Sequence, residues 1–365
     1  MRKRRERIAR MKHCSILSLV PLLAGVLCSI GDRLGEFVEC NRVCRVRRGC
    51  EQHGGEGAFP DDSPFAAYTF VDTPAAYRAL LWDCSADCDY QCQQAITHQR
   101  LLAGEPPVQF HGKWPFVRML GMQEFFASLF SVANFVPHLQ GYRQLRRELA
   151  RAPSVGGSSV LLRKYQSLAV VGMLAWISSA VFHARDMPLT EKLDYFFAGA
   201  TVLAGFHALY IRVRRLDLAP TRRRCFSLAV LLVFVLHIVR LYRNWNYTYN
   251  MRFNICFGLL QYLLLLLQAL QNFGSLRRQR QKAGLGLYAQ QPGMQFQLVL
   301  VPVLLVLYTG LAMSSELFDF FSYHWQIDSH ALWHFLTVAP SFMLYDFFLK
   351  DYRYLNTLSS HSAPE

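Results

Sequence analysis

From residue 116 onward the chain alternates between long apolar blocks and short polar ones. Seven blocks, at about 118–138, 165–184, 193–212, 225–242, 252–272, 296–315 and 330–349, approach or reach the roughly 20 residues that a helix needs to cross a bilayer. They are too long for strands and carry no two-residue alternation, so the pattern predicts an all-α polytopic membrane protein with seven transmembrane helices. A further apolar run, Cys14–Ile30, follows the basic start MRKRRERIARMK in the order of a secretory signal peptide. A retained signal anchor is the rival reading, and it delivers the rest of the chain to the same side. The predicted organisation is a signal peptide over 1–30, a Cys-rich lumenal segment over 31–115, a helical domain over 116–352 and a cytosolic tail over 353–365.

Composition sharpens this picture. At 52% hydrophobic, 14% aromatic and 18% charged, the chain is too oily for a soluble protein of 365 residues. Its net charge of +14 lies in short clusters between the blocks, which speaks for membrane topology and against a nucleic-acid partner. The basic loops YRQLRRELAR, RVRRLDLAPTRRR and RRQRQK alternate with the far less basic ARDMPLTEK, RNWNYTYNMR and SYHWQIDS. The positive-inside rule places the first set in the cytosol and the second in the lumen, giving a lumenal N-terminus and a cytosolic C-terminus. Asn246, in the sequon NYT, falls on a predicted lumenal loop but so near the membrane that it is expected to stay unmodified.

Six cysteines, Cys40, Cys44, Cys50, Cys84, Cys88 and Cys92, fall in the polar segment behind the signal peptide. An even set in a secreted segment too small for a large core favours disulfides, with connectivity left open. A zinc ribbon is the alternative, but it would need C-x2-C knuckles, which are absent. Cys225 and Cys256 lie in apolar blocks and are expected to be ordinary buried residues.

The stretch SSAVFHARDMPLTEKLD, residues 178–194, breaks the apolar pattern. Polar groups in hydrocarbon cost several kcal/mol unless satisfied or needed. Ser179 and His183 stand four apart on one face at the lumenal end of the second predicted helix, and Asp194 begins the third at the same depth. The seventh starts on that side with DSHALWH, where His330 and His334 are again four apart. A single His-x3-His pair more often satisfies neighbours than binds a metal, and a lone serine more often packs between helices. Together at one depth, however, three histidines with an open fourth position fit a catalytic zinc site. His183, His330 and His334 are the expected ligands of a zinc ion that brings the pKa of bound water to about 7. Asp194 is the expected general base or water orienter, Ser179 a donor to the water or oxyanion, and Asp328 a partner behind a ligand histidine. Glu124 heads a polar stripe with Ser128, Ser131 and Asn134; organising the bundle and supporting the chemistry are equally compatible with it. His138, His207 and His237 are expected to be structural.

These residues resemble the signature of the CREST superfamily of seven-helix membrane hydrolases, which includes alkaline ceramidases and adiponectin-type receptors. Through QFHGKWPFVR, QEFFASLFSVANF, SSAVFHARD…TEKLDYFFAG and IDSHALWHFLT, the chain is similar to the Per-like family, the post-GPI attachment to proteins factor 3 group, from about Cys40 to Tyr354. The resemblance implies a zinc-dependent, phospholipase A2-type hydrolase that removes the sn-2 acyl chain from GPI-anchored proteins in the endoplasmic reticulum or Golgi membrane. It implies Ser179, His183, Asp194, His330 and His334 as the active-site set. The acidic stretch that binds calcium in ceramidases has no clear counterpart, so calcium is not expected. A ceramidase-like amide hydrolase, or a non-catalytic receptor or chaperone with structural zinc, fits the same site residues.

Overall fold

The computed structural model describes residues 29–50, 63–152, 158–281 and 293–360, which form two compact units. The expected signal peptide lies outside the described residues but for its last two positions. The first unit comprises the chain up to Gln123 with the short segment Tyr323–Gln326. It contains helix α1 (Gly35–Arg47), the single turn α2 (Ala75–Arg78) and helix α3 (Cys84–Leu102), whose N-terminus is capped by Asp83 accepting from Ala86 N–H at 2.7 Å. Cysteines spaced by four share a helix face. The observed pairs, Cys40–Cys92, Cys44–Cys88 and Cys50–Cys84, are nested, so α1 and α3 run antiparallel. With all six sulfurs in disulfides, no thiolate remains for a zinc ribbon. Phe37, Phe65, Ile96 and Phe110 pack around the bridges. Disulfides contribute about 2–4 kcal/mol each where so small a core supplies little.

A charge cluster adds to this unit. Buried Asp87 accepts hydrogen bonds from Arg48 (2.7 Å), Arg118 (2.6 Å) and Thr73 (2.9 Å). The Arg118 guanidinium lies 3.5 Å from the Trp82 ring centroid and 3.7 Å from that of Tyr90. Burial opposes ionisation of Asp87, but the donors outweigh it and hold the carboxyl below its ordinary value of 3.8.

The second unit is helical: α4 (Phe125–Arg151), α5 (Ser158–Ala184), α6 (Pro188–Val213), α7 (Pro220–Arg243), α8 (Tyr247–Gln281), α9 (Val301–Ser315) and α10 (Ser329–Ser360). A two-stranded antiparallel ladder, β1 (Phe321–Ser322) with β2 (Ile327–Asp328), precedes α10. Among the described residues, six helices are long and apolar enough to cross a membrane: Ser159–Ala184, Pro188–Val213, Pro220–Arg243, Tyr247–Gln279, Phe296–Ser315 and Ser329–Leu358. The protein is therefore a multi-pass membrane protein. The helices outrun their apolar blocks because basic and amide residues lengthen a helix past the hydrocarbon without breaking it.

The first expected span differs from the rest. Residues 118–123 are not helical: Leu120 and Gly121 are left-handed, with φ of 55° and 79°. The helix begins at Phe125 and runs on through YRQLRRELAR, which reads as a loop in the sequence. It is not among the helices apolar enough to span, because its buried face carries Ser128, Ser131, Asn134 and His138. Cys225 and Cys256 also differ from expectation, being exposed on the outside of the bundle. A membrane helix is apolar all round, so hydropathy does not tell its inner face from its outer one.

Lipid is as apolar as a side chain, so these helices associate through close packing and polar contacts. A Cβ added at Gly141 would meet the Tyr345 ring, and one at Gly172 would meet His138, both near 2.3 Å or closer. These glycines draw α4 to α10 and α5 to α4. Further along, Tyr165 stacks on Phe348 with ring centroids 4.1 Å apart. Beyond it, Arg212 near the end of α6 pairs with Asp351 of α10, and Asn272 of α8 bonds to both.

Candidate metal centre

The site is assembled where α5 ends and α10 begins. Only Arg185, Asp186 and Met187 separate α5 from Pro188, the first residue of α6, and Thr190 braces the turn by accepting from Met187 N–H at 2.9 Å. This holds Ser179 and His183 one turn apart on the last turns of α5. Asp328 caps α10 by accepting from Ala331 N–H at 2.8 Å, which aims His330 and His334 down one face. Burial raises the Asp328 carboxyl to about 6. Glu124 joins from the start of α4, with its N–H donating to the carbonyl of His183 at 2.9 Å.

His183, His330 and His334 converge: one ring nitrogen of each lies within 4.8 Å of those of the others. The opposite ring nitrogen of each histidine is anchored. His183 Nδ1 lies 2.8 Å from Glu124 Oε2, and His330 Nδ1 lies 3.0 Å from Glu316 Oε1. His334 Nδ1 lies 3.2 Å from the Ala127 carbonyl and 3.0 Å from Ser131 Oγ. Carboxylates and a carbonyl only accept, so each Nδ1 carries a proton and Nε2 is the nitrogen with which each neutral ring can ligate. The Nε2 atoms of His183 and His330 face each other at 3.3 Å. Two lone pairs at that distance repel unless a proton or a metal ion lies between them, and this donor set with anchored imidazoles suits zinc. The residues present therefore fit the expected ion.

Ser179 is buried, and its Oγ lies 3.1 Å from Ser131 Oγ, which itself contacts His334. The Trp176 ring meets His334 edge to face at 5.1 Å, and its Nε1–H donates to His138 at 3.1 Å. His138 also bonds Tyr345 at 2.7 Å, so it sits in the packing between α4, α5 and α10. His183 and His334 are 2% exposed, whereas the side chains of His330 and Glu316 are 30% and 28% exposed, so the site opens at that pair.

The other residues singled out in the sequence take different places. Asp194 is the seventh residue of α6, half-buried, and is not one of the carboxylates at the histidines' Nδ1 atoms. Asp328 serves as a helix cap, and the carboxylate behind His330 is Glu316. Asn246 accepts from Tyr249 N–H at 2.9 Å at the start of α8. Glu316 and the contact of Ser131 with His334 escape the sequence reading. The one available signal for Glu316 was a carboxylate closing the apolar run LAMSSELF, level with the start of the DSHALWH helix.

Comparison with known proteins bears on this arrangement. The chain is 49% identical to Protein PER1 of Saccharomyces cerevisiae over 94% of its length and 98% of the relative's. It is 32% identical to Post-GPI attachment to proteins factor 3 of Drosophila melanogaster, covering 93% and 94% of the two chains. It is 33% identical to GPI-specific phospholipase A2-like PGAP3 of Xenopus tropicalis, covering 95% and 98%. No solved structure matches it. The model of the Per1-like family matches residues 74–352, which include all three histidines, and the chain belongs to that family.

Proposed function

We propose that the chain is a zinc-dependent acyl ester hydrolase that removes the sn-2 acyl chain of GPI anchors. The observation that carries this reading is the convergence of three histidine ring nitrogens, with each ring held by a partner at Nδ1. A zinc ion held there supplies Lewis acidity and makes water acidic enough to ionise near neutral pH. His183, His330 and His334 hold the ion, and Glu124, Glu316 and Ser131 keep their imidazoles in the ligating tautomer. Asp194 takes the proton that water gives up as it adds to the ester carbonyl, and returns it to the departing glycerol oxygen. Ser179 donates to the oxyanion that forms on the carbonyl.

The substrate rests on the relatives, whose names mention GPI and a phospholipase A2-like activity. GPI-anchored proteins are then the partners. The basic loops orient the site toward the lumen of the endoplasmic reticulum or Golgi, on the leaflet where such anchors reside. Cells lacking the chain should carry GPI anchors with an unremodelled sn-2 chain. The wild-type chain should restore remodelling. Asp194→Asn should keep its zinc and lose about 100- to 10,000-fold in acyl release. Full remodelling by the Asp194→Asn chain, or release of acyl chains from ceramide and not from GPI lipid, would sink the reading.

A further inference from the structure

We infer that Glu316 is a positioning residue of the metal centre, fixing His330 and balancing the charge of the ion jointly with Glu124. The inference rests on the proposed metal site. Glu316 follows the last residue of α9, Ser315, and reaches His330 Nδ1 with Oε1 at 3.0 Å. Its other oxygen, Oε2, is buried and has no hydrogen-bond partner. Leaving a buried acceptor unsatisfied costs about 1–3 kcal/mol, and more when the group is charged. A carboxylate serving only to end a helix would turn that oxygen to solvent, which the partial exposure of the side chain allows.

Charge gives the arrangement its reason. Three neutral imidazoles leave the full charge of a divalent ion in a low-dielectric setting, where isolated charge is costly. Glu124 and Glu316 each place a carboxylate on the far side of one ligand ring, and together they offset that charge without entering the coordination sphere. His334 has neutral partners, Ser131 and the Ala127 carbonyl. Glu316 thus makes His330, the most exposed of the three ligands, as firmly oriented as buried His183.

The test uses the full-length chain in detergent, with zinc affinity measured by chelator competition and the geometry read from the visible spectrum of the cobalt-substituted protein. Glu316→Gln, which keeps the shape and removes the charge, should weaken zinc binding by about 10- to 100-fold and shift the cobalt bands. Glu316→Ala should weaken it at least as much. Wild-type affinity and an unchanged spectrum in Glu316→Gln would overturn the inference, whether or not Glu316→Ala folds. A wild-type chain whose zinc affinity depends on Glu316 but that releases no acyl chain would leave this inference standing and remove the hydrolase reading. A wild-type chain that binds no zinc would remove both.

Discussion

Two polar clusters sit toward opposite ends of α10, and they are built on opposite principles. At one end, the two oxygens of Asp351 receive Arg212 and Asn272, and Asn272 also accepts from Arg212 and donates to the Leu298 carbonyl. That network is closed, because its charges satisfy one another across α6, α8 and α10. At the other end, the Nε2 atoms of His183 and His330 oppose each other at 3.3 Å, and Glu316 keeps an unpartnered oxygen. Both clusters carry a desolvation cost. In the first it is offset from within; in the second Glu124 and Glu316 offset part of it, and an oxygen of Glu316 stays unpartnered. A closed network holds helices together, whereas the open one leaves three histidine ring nitrogens close enough to share an ion.

The comparison is tested most severely at Arg212. Arg212→Ala leaves Asp351 buried and unpaired, which should cost about 3–5 kcal/mol of stability, read as a lower unfolding midpoint in detergent. Its zinc content should not change. The double variant Arg212→Met with Asp351→Leu should lose less than either single change, because it removes both charges together. Zinc lost from Arg212→Ala with stability intact would erase the distinction between the two ends. Gly172→Ala should have a smaller effect, about 1–3 kcal/mol, because the new methyl must displace His138 from between Trp176 and Tyr345. An unchanged unfolding midpoint would show that His138 is not held there.

The smallest effect lies in the disulfide-bonded unit. Asp87 has its folded pKa lowered, so its contribution is fully present above the ordinary value of 3.8 and disappears as pH falls through the lowered folded value. Protection of this unit from proteolysis should therefore decline only below about pH 4, and Asp87→Asn should remove that dependence. A decline that sets in near pH 6 would point to other groups.

Much of this was legible in the sequence because hydrocarbon imposes strict rules. The six spanning helices follow from block length, and Ser179, His183, His330 and His334 stand out because polar residues are rare in such blocks. The rest depended on information that spacing does not carry. Cysteines four apart announce a face but not which partner each will meet. The bond between Glu124 and His183 depends on where α4 begins, and the apolar pattern does not show that residues 118–123 stay outside the helix. Glu316 closes an apolar run, where a carboxylate reads as an ordinary interface residue until His330 is seen beside it. The outward direction of Cys225 and Cys256 was hidden because their helices are apolar on every side.

The most direct test of the central claim is the zinc content of the purified chain beside that of the His330→Ala, His334→Ala double variant, taken with acyl release from GPI lipid. The account predicts one zinc ion per wild-type chain, none above background in the double variant, and acyl release that disappears with the metal. Full zinc occupancy in the double variant, or acyl release that persists without zinc, would contradict it.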